Sequence, residues 1–251
     1  MPQPHSSLIE HYKDPAEKQS FLRKIFDEAA PHYEAIARIG FFGSGQWYRK
    51  DALRRAGLVP GMRVLDVASG TGPTARAIRE IIGDENLITC LEPSAGMMAE
   101  SKKTLGCEHI QATAEAIPLP NESFDFLTMG FALRHVDDLE RAFAEYHRVL
   151  KPGGKALLLE LTLPKSAAAR FVLKLYFKHT LPFIVRAVTG SQQAAHMMWY
   201  YWDTMEMVVS PEVVMRALQR AGFETVERRV SIGLFSEYEA TRGDRTGPPQ
   251  V

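Results

Sequence analysis

Cysteine is nearly absent: the 251 residues contain two, Cys90 and Cys107. A pair this sparse in a chain this long fits a reducing compartment and excludes a disulfide scaffold. Neither sign of charge is in excess. Lys+Arg and Asp+Glu stand at 30 each, which argues against a nucleic-acid binder driven by phosphate neutralisation. No uncharged apolar run reaches the roughly 18 residues of a membrane-spanning helix. The most apolar segment, 171–188, carries Lys174, Lys178, Arg186 and Pro182. The opening Met1-Pro2-Gln3-Pro4-His5 lacks the basic-then-apolar order of a secretory leader. The expectation is a cytoplasmic protein, with peripheral contact to a membrane left open. None of the eight histidines pairs with cysteine or acid at a metal-ligand spacing, so no metal is expected. G-x-x-x-x-G-K-[ST] is missing too, which argues against a nucleotide-triphosphate loop.

What is present is an ordinary globular composition, 45% hydrophobic and 24% charged, organised around Val64-Leu65-Asp66-Val67-Ala68-Ser69-Gly70-Thr71-Gly72. An apolar β-branched run ends in an acid and breaks into a small-residue loop, and Pro73-Thr74-Ala75-Arg76-Ala77-Ile78 starts a helix. This order predicts a buried parallel strand, a turn that glycine adopts cheaply, and a helix N-terminus with free N–H groups suited to an anionic ligand. Gly70, Gly72 and Ala75 also satisfy the dinucleotide fingerprint with its G/A ending, so the glycine spacing leaves NAD open.

Residues 1–57 read as helices preceding the core. Phe21, Leu22, Ile25, Phe26 and Ala29 recur at helical spacing, with Pro31 expected to end that segment. Trp47, Ala52 and Leu53 are expected on one face of the next helix. These apolar faces cover either the mouth of a cleft or a sheet edge. After the glycine loop come a helix at 73–82 and a strand at 87–91 ending at Glu92, a carboxylate placed to accept both hydroxyls of an adenosine ribose. Pro93-Ser94 starts a helix carrying Met97 and Met98, soft side chains that could lie against adenine or simply pack. Strands follow at 109–112, 124–129 and 156–161, the last two separated by a helix expected to start near Asp137 and to stop at Lys151-Pro152-Gly153-Gly154. Strands alternating with helices give a doubly wound sheet, whose ligands sit at the carboxyl ends near the order reversal. That rim holds Gly70, Glu92, Thr113, Ala114, Met129 and Gly130. Ser210-Pro211 starts a last helix, 223–230 and 234–241 pair as closing strands through Gly233, and the tail from Gly243 is expected to be disordered.

Leu65-Asp66-Val67-Ala68-Ser69-Gly70-Thr71-Gly72 resembles the first motif of class I S-adenosylmethionine (SAM) methyltransferases. Phe26-(x6)-Tyr33, Trp47, the Gln111 to Pro118 segment, Phe131-Ala132-Leu133-Arg134 and the Arg148 to Gly154 segment narrow this further. From about residue 24 to 243 the chain is similar to the ubiquinone/menaquinone biosynthesis C-methyltransferase family. The resemblance implies an α/β, Rossmann-like class I methyltransferase fold: a seven-stranded, mostly parallel sheet with helices on both faces. It divides the chain into an N-terminal helical cap (1–57), a SAM-binding core (58–163), a helical lid insertion (164–210), the C-terminal part of the core (211–242) and the tail (243–251). The implied cofactor is S-adenosyl-L-methionine. The residues expected to bind it are Asp66, Ala68, Ser69, Gly70, Gly72, Glu92, Pro93, Met97, Thr113, Ala114, Glu115, Met129 and Gly130. Three departures stand out: Tyr33-Glu34 where the family has Tyr-Asp, Thr113 in place of the Asp or Asn that holds the adenine amino group, and Gly130-Phe131-Ala132-Leu133-Arg134-His135 in place of Ser-Phe-Gly-Leu-Arg-Asn.

The insertion at 164–210 is dense in apolar and aromatic residues, and its Met197-Met198-Trp199-Tyr200-Tyr201-Trp202 run suits either a lid over a hydrophobic substrate or plain packing. The expected substrate-side residues are Phe131, Tyr176, His179, His196, Trp199 and Tyr200. The sulfonium of SAM is already an excellent methyl donor, so the protein has chiefly to align a nucleophile with it. Methylating a phenolic ring at carbon needs help in removing the hydroxyl proton. The expected catalytic residues are Arg134, as a phenolate stabiliser or holder of a water, with His135 and Tyr33. The expected partner is a small hydrophobic aromatic, prenylated or polyketide-like, with no nucleic acid; a homodimer stays open. Methylation at oxygen or nitrogen, and a non-catalytic SAM- or lipid-binding protein, are the alternatives, with a NAD dehydrogenase behind them.

Overall fold

The computed structural model describes residues 18–40, 43–206 and 208–243. The tail expected to be disordered therefore lies, beyond Gly243, outside the described residues. Seven strands, β1 (Val64–Val67), β2 (Ile88–Leu91), β3 (Glu108–Ile110), β4 (Phe124–Gly130), β5 (Leu150–Leu161), β6 (Phe223–Ser231) and β7 (Phe235–Arg242), form one sheet in the order β3-β2-β1-β4-β5-β7-β6. Only β7 runs antiparallel to its neighbours. The order reverses between β1 and β4, the place where an open α/β sheet has a crevice for ligands.

The register sets up that crevice. Val67 of β1 pairs with Leu91 of β2 and with Met129 of β4, so three carboxyl ends finish in one row. The residues that follow, Ala68 to Gly70, Glu92 and Gly130, are thus delivered to the same rim. β1 and β2 are buried at every position, as strands covered on both faces must be.

Helices cover both faces. On one lie α1 (Lys18–Gly40), α2 (Gly45–Arg55), α3 (Pro73–Ile82) and α8 (Gln192–Glu206), sharing a core built from residues such as Ile25, Leu53, Ile78, Met197 and Trp202. On the other, α5 (Leu139–Val149) and α9 (Pro211–Arg220) bury Phe143, Tyr146, Val214 and Leu218 against β4, β5 and β7. Between β2 and β3 lies α4 (Ala95–Lys102), and between β5 and α8 lie α6 (Ala167–Leu175), a π-helical turn at Tyr176–Thr180 and α7 (Leu181–Thr189).

Several local expectations need correction. Pro31 does not end α1, which runs through it to Gly40. Proline costs the helix one hydrogen bond there, but Ala29 and Ile36 on either side are buried in one core, and Asp27 is anchored by the Gly96 amide at 2.8 Å. Trp47 is 73% exposed and Tyr48 takes the buried position instead. At about 100° per residue, a five-residue step puts Trp47 well round the helix from Ala52, whereas Tyr48 is one turn away. The cap of α5 is Asp138, which accepts the Arg141 amide, not Asp137. That helix ends at Val149 as expected, but Lys151 to Gly154 continues directly into β5, paired after a register shift with β4.

Candidate functional site

Two cavities open at the carboxyl ends of β1, β2 and β4. The first encloses about 850 Å³, solvent at its mouth included, and the second about 660 Å³. Tyr33, Ala68, Gly70, Gly130 and Phe131 line both, so these residues form a shared wall.

The wall follows from backbone geometry. Gly70 (φ 58°) and Gly72 (φ 85°) are left-handed, and so are Ala68 (φ 52°) and Phe131 (φ 63°), a conformation uncommon for side-chain-bearing residues and worth attention where it clusters. A Cβ added at Gly70 would meet nothing within 4 Å, so the main chain lies open to the cavity. At Gly72 it would meet Leu105 and Ser101, and at Gly130 the Thr74 hydroxyl at 2.6 Å. Those two glycines serve packing, and Gly70 leaves room for a ligand.

Glu92, 6% exposed, occupies the far side of the first cavity. Its Oε2 accepts the Gly70 amide at 2.8 Å and its Oε1 the Ser94 amide at 2.9 Å. Burial pushes its carboxyl up to about 7, against the pull of those two amides. Each oxygen keeps a lone pair for a further donor. Pro93, Met97, Thr113, Ala114, Glu115 and Met129 complete this cavity, with Phe26 and Leu22 of α1 over its mouth. Asp66 lies fully buried beneath the loop, its carboxyl held well above the ordinary range by desolvation, which the Arg49 charge partly offsets. Ser69 lines the second cavity, while Gly72 caps α3 behind the wall.

Arg134, His135 and Tyr33 all face the first cavity. The Arg134 side chain is only 2% exposed and is bound to Glu160 at 2.6 Å. It also donates to the Phe131 carbonyl at 2.9 Å and to Thr204 Oγ1 at 3.2 Å, and lies 4.1 Å over the Tyr201 ring. Burial works most strongly against its charge, but Glu160, Tyr201 and Tyr33 together more than offset that and raise its pKa. Its charge is therefore compensated, and it locks the Phe131–His135 turn against β5. His135 is sandwiched between Phe26, edge-on at 5.3 Å, and Tyr200, stacked at 5.8 Å. Neither of its ring nitrogens has a hydrogen-bond partner among the described residues. Burial first, then the Arg134 and Lys18 charges, depress its pKa well below the usual imidazole value. Burial likewise raises the Tyr33 phenol, so Tyr33 is a proton donor and not a base.

The insertion contributes Phe177, Leu181, Met198 and Tyr201 to the second cavity. Of the residues expected on the substrate side, Phe131 lines both cavities, and Tyr200 supports His135 from behind. Tyr176, His179, His196, Trp199 and Tyr200 line neither. Tyr176 reaches the Gly40 carbonyl at 3.4 Å, and Trp199 donates to the Lys178 carbonyl at 2.9 Å. His196 packs edge-on against Trp199, and His179 is exposed. The helical register of α8 decides this: Met198 and Tyr201, three residues apart, share one face, from which Trp199 is turned away.

Sequence reasoning missed Arg49. It lies in the second cavity 5.0 Å over the Phe131 ring, its Nε without a hydrogen-bond partner among the described residues. Burial lowers its pKa, an effect that neighbouring Tyr33 and Tyr201 oppose. A Trp-Tyr-Arg-Lys run gives no hint that its arginine turns inward; only the buried Tyr48 beside it could have suggested the face. A second correction concerns metal spacing. Cys90, Cys107 and His109 bring three ligand atoms within 4.8 Å of one another, because β2 and β3 pair side by side and alternate residues share a face. The thiols lie 3.6 Å apart, and both His109 nitrogens are already engaged, with the Cys107 carbonyl and the Ser101 hydroxyl.

The likeness to known proteins agrees with this architecture. The ubiE/COQ5 methyltransferase family model matches residues 13–240. The ubiquinone/menaquinone biosynthesis C-methyltransferase UbiE of Shewanella woodyi is 32% identical over 218 residues, 84% of this chain and 86% of that protein. The corresponding Shewanella piezotolerans protein is 32% identical over 217 residues, 84% and 85% of the two chains. Among solved structures, a SAM-dependent methyltransferase from Thermotoga maritima superposes with a TM-score of 0.62 at 24% identity, covering 87% of this chain and 98% of its own. One from Aquifex aeolicus gives 0.56 at 20% identity over 95% and 99%. With the sheet order, the cavity pair at its reversal and a match across nearly the whole chain in agreement, this protein is a methyltransferase belonging to the ubiE/COQ5 methyltransferase family.

Proposed function

We propose that the chain transfers a methyl group from S-adenosylmethionine to a ring carbon of a prenylated, quinol-type aromatic. The observation that carries the proposal is the shared wall: one cavity bearing the Glu92 carboxylate and one walled by Phe177, Leu181, Met198 and Tyr201 of the insertion meet at Tyr33, Ala68, Gly70, Gly130 and Phe131. The names of the Shewanella relatives supply the acceptor class.

The first cavity fits a nucleoside. Glu92 has the free lone pairs to receive two ribose hydroxyls, Met97 offers soft apolar surface to a base, and the open space over Gly70 lets the ligand reach the main chain. Thr113, Ala114 and Glu115 close its rim. Bound there, the cofactor supplies an electrophilic methyl on a sulfonium. Phe177, Leu181, Met198 and Tyr201 enclose the acceptor ring against Phe131 in the second cavity. Arg49, always charged and with a donor to spare, stabilises the ring oxygen as it becomes negative. Tyr33, kept protonated by burial, donates to the same oxygen from the shared wall. The hydroxyl proton leaves to solvent, with Arg49 and Tyr33 holding the charge left behind, and Arg134 acts by holding the turn that carries Phe131. Loss of that proton makes the adjacent ring carbon nucleophilic; after methylation its own hydrogen leaves as a proton and the ring oxygen takes one back, so one proton is released per methyl transferred.

The test is incubation with methyl-labelled SAM and a reduced, demethylated prenyl quinol, followed by NMR of the product. The expected label is a methyl carbon bonded to a ring carbon. A methyl ether, or no labelled product, overturns the proposal.

A further inference from the structure

The insertion carries a second, outward-facing feature. α6, the π turn and α7 run without a break in helical backbone from Ala167 to Thr189, because Tyr176 and Leu181 at the junctions are themselves in the right-handed helical region. On the inner side of this rod Phe177, Leu181 and Val185 are buried. On the outer side α6 has no buried residue at all, and Phe171 (62% exposed), Val172, Leu175 and Phe183 (75% exposed) face solvent. Phe171, Leu175, His179 and Phe183 are all exposed, so the apolar stripe continues on the outer side from α6 across the π turn into α7.

Charge distribution says what covers that stripe. The chain as a whole is neutral, yet between Glu160 and Asp203 there is no acid, while Lys165, Arg170, Lys174, Lys178 and Arg186 all fall within that stretch. Lys174 and Lys178 turn to Glu206 and Asp203 of α8; among the described residues Lys165, Arg170 and Arg186 form no ion pair, and all three are exposed. An apolar stripe flanked by unpaired cations is the amphipathic arrangement that lies in a bilayer interface and favours anionic headgroups. Among the described residues no helix is long and apolar enough to cross a membrane.

We propose that the outer face of Ala167–Thr189 docks on the surface of an anionic lipid bilayer, with Phe171, Leu175 and Phe183 entering the interface and Arg170 and Arg186 contacting lipid phosphates. The same rod lines the second cavity from its inner side with Phe177 and Leu181. Docking therefore brings the acceptor cavity to within one helix diameter of the lipid, which suits an acceptor with a prenyl chain; this last link rests on the proposed function, the docking itself does not.

The experiment is sedimentation of the full chain, without substrate, with vesicles of phosphatidylcholine mixed with phosphatidylglycerol and with vesicles of phosphatidylcholine alone. The wild type should partition onto the anionic vesicles and be released by salt. Phe171→Glu/Phe183→Glu should abolish partitioning, and Arg170→Gln/Arg186→Gln should weaken it by about 25-fold, roughly fivefold for each cation removed. These positions are exposed, and unchanged thermal melting keeps loss of folding out of the result. A wild type that stays in solution overturns the proposal. So do variants that bind as well as the wild type, or a wild-type dimer that the Phe171→Glu/Phe183→Glu change splits into monomers. Turnover of a short-chain, water-soluble acceptor should be equal in wild type and variants, and only turnover of vesicle-embedded acceptor should fall. If the soluble acceptor is not methylated at all while vesicle binding behaves as stated, the function fails and the docking stands.

Discussion

Glu92 is the residue through which solution pH should control cofactor binding. Desolvation raises its pKa from an ordinary 4.5 to about 7, although two main-chain amides already stabilise the charged form. Two ribose hydroxyls donating to it require the carboxylate. In the ligand-free protein roughly one molecule in eleven carries that carboxylate at pH 6 and ten in eleven at pH 8, so apparent SAM affinity should rise about tenfold across the interval. Calorimetry in buffers of differing ionisation enthalpy should show about one proton released on binding at pH 6 and almost none at pH 8. Stability without ligand should move the opposite way. The folded state holds this proton more tightly than the unfolded chain, so the contribution is fully present below pH 4.5 and is lost as pH rises through 7, by up to about 3 kcal/mol. Glu92→Gln should bind SAM more weakly and without the pH slope. An affinity flat from pH 6 to 8, or the same slope in Glu92→Gln, would refute the assignment of this carboxylate to the ribose.

Arg49→Met should lower kcat by about 100- to 1,000-fold, as expected for removing a donor to a developing oxyanion, and leave SAM affinity within twofold; equal loss of both would put Arg49 in the cofactor's half of the site. Glu160→Gln should destabilise the fold by about 3–5 kcal/mol in urea titrations, because it strands the buried Arg134 charge, whereas a change under about 1 kcal/mol would mean that solvent reaches the pair. His135 is held neutral on folding, so the unfolded chain takes up its proton first as pH falls below about 6.5, and stability should decline from there. His135→Asn should remove that part of the acid sensitivity in thermal melts, and an unchanged acid limb would count against the buried, unpartnered imidazole.

How far the sequence could be read tracks how local the determining physics is. The loop from Val64 to Gly72 is decided by its own residues: β-branched packing, an acid at the strand end and glycines with positive φ. Its place on the wall of the first cavity was legible, and so was that of Glu92 on the same rim, one crossover unit further on. The row Val67, Leu91 and Met129 is a consequence of parallel pairing, which strand alternation with helices already implies. Pro31, Trp47 and the insertion residues failed for the opposite reason. Proline weakens a helix by an amount that burial of Ala29 and Ile36 on a common core can exceed, and nothing within α1 itself announces that core. In the insertion, Tyr176 and Phe177 are neighbouring aromatics, and the π turn between α6 and α7 settles which of them points inward. A π turn inserts one residue into the helical phase, so every face assigned beyond it by 3.6-residue counting is rotated. Arg49 was hidden in the same manner, a cation of ordinary local context whose burial is created by Phe131 from a loop more than eighty positions away. The chemistry contributed by the glycine loop is therefore written where it acts, and the selection of the acceptor is written in contacts that exist only once α2, α8 and the turn after β4 have met.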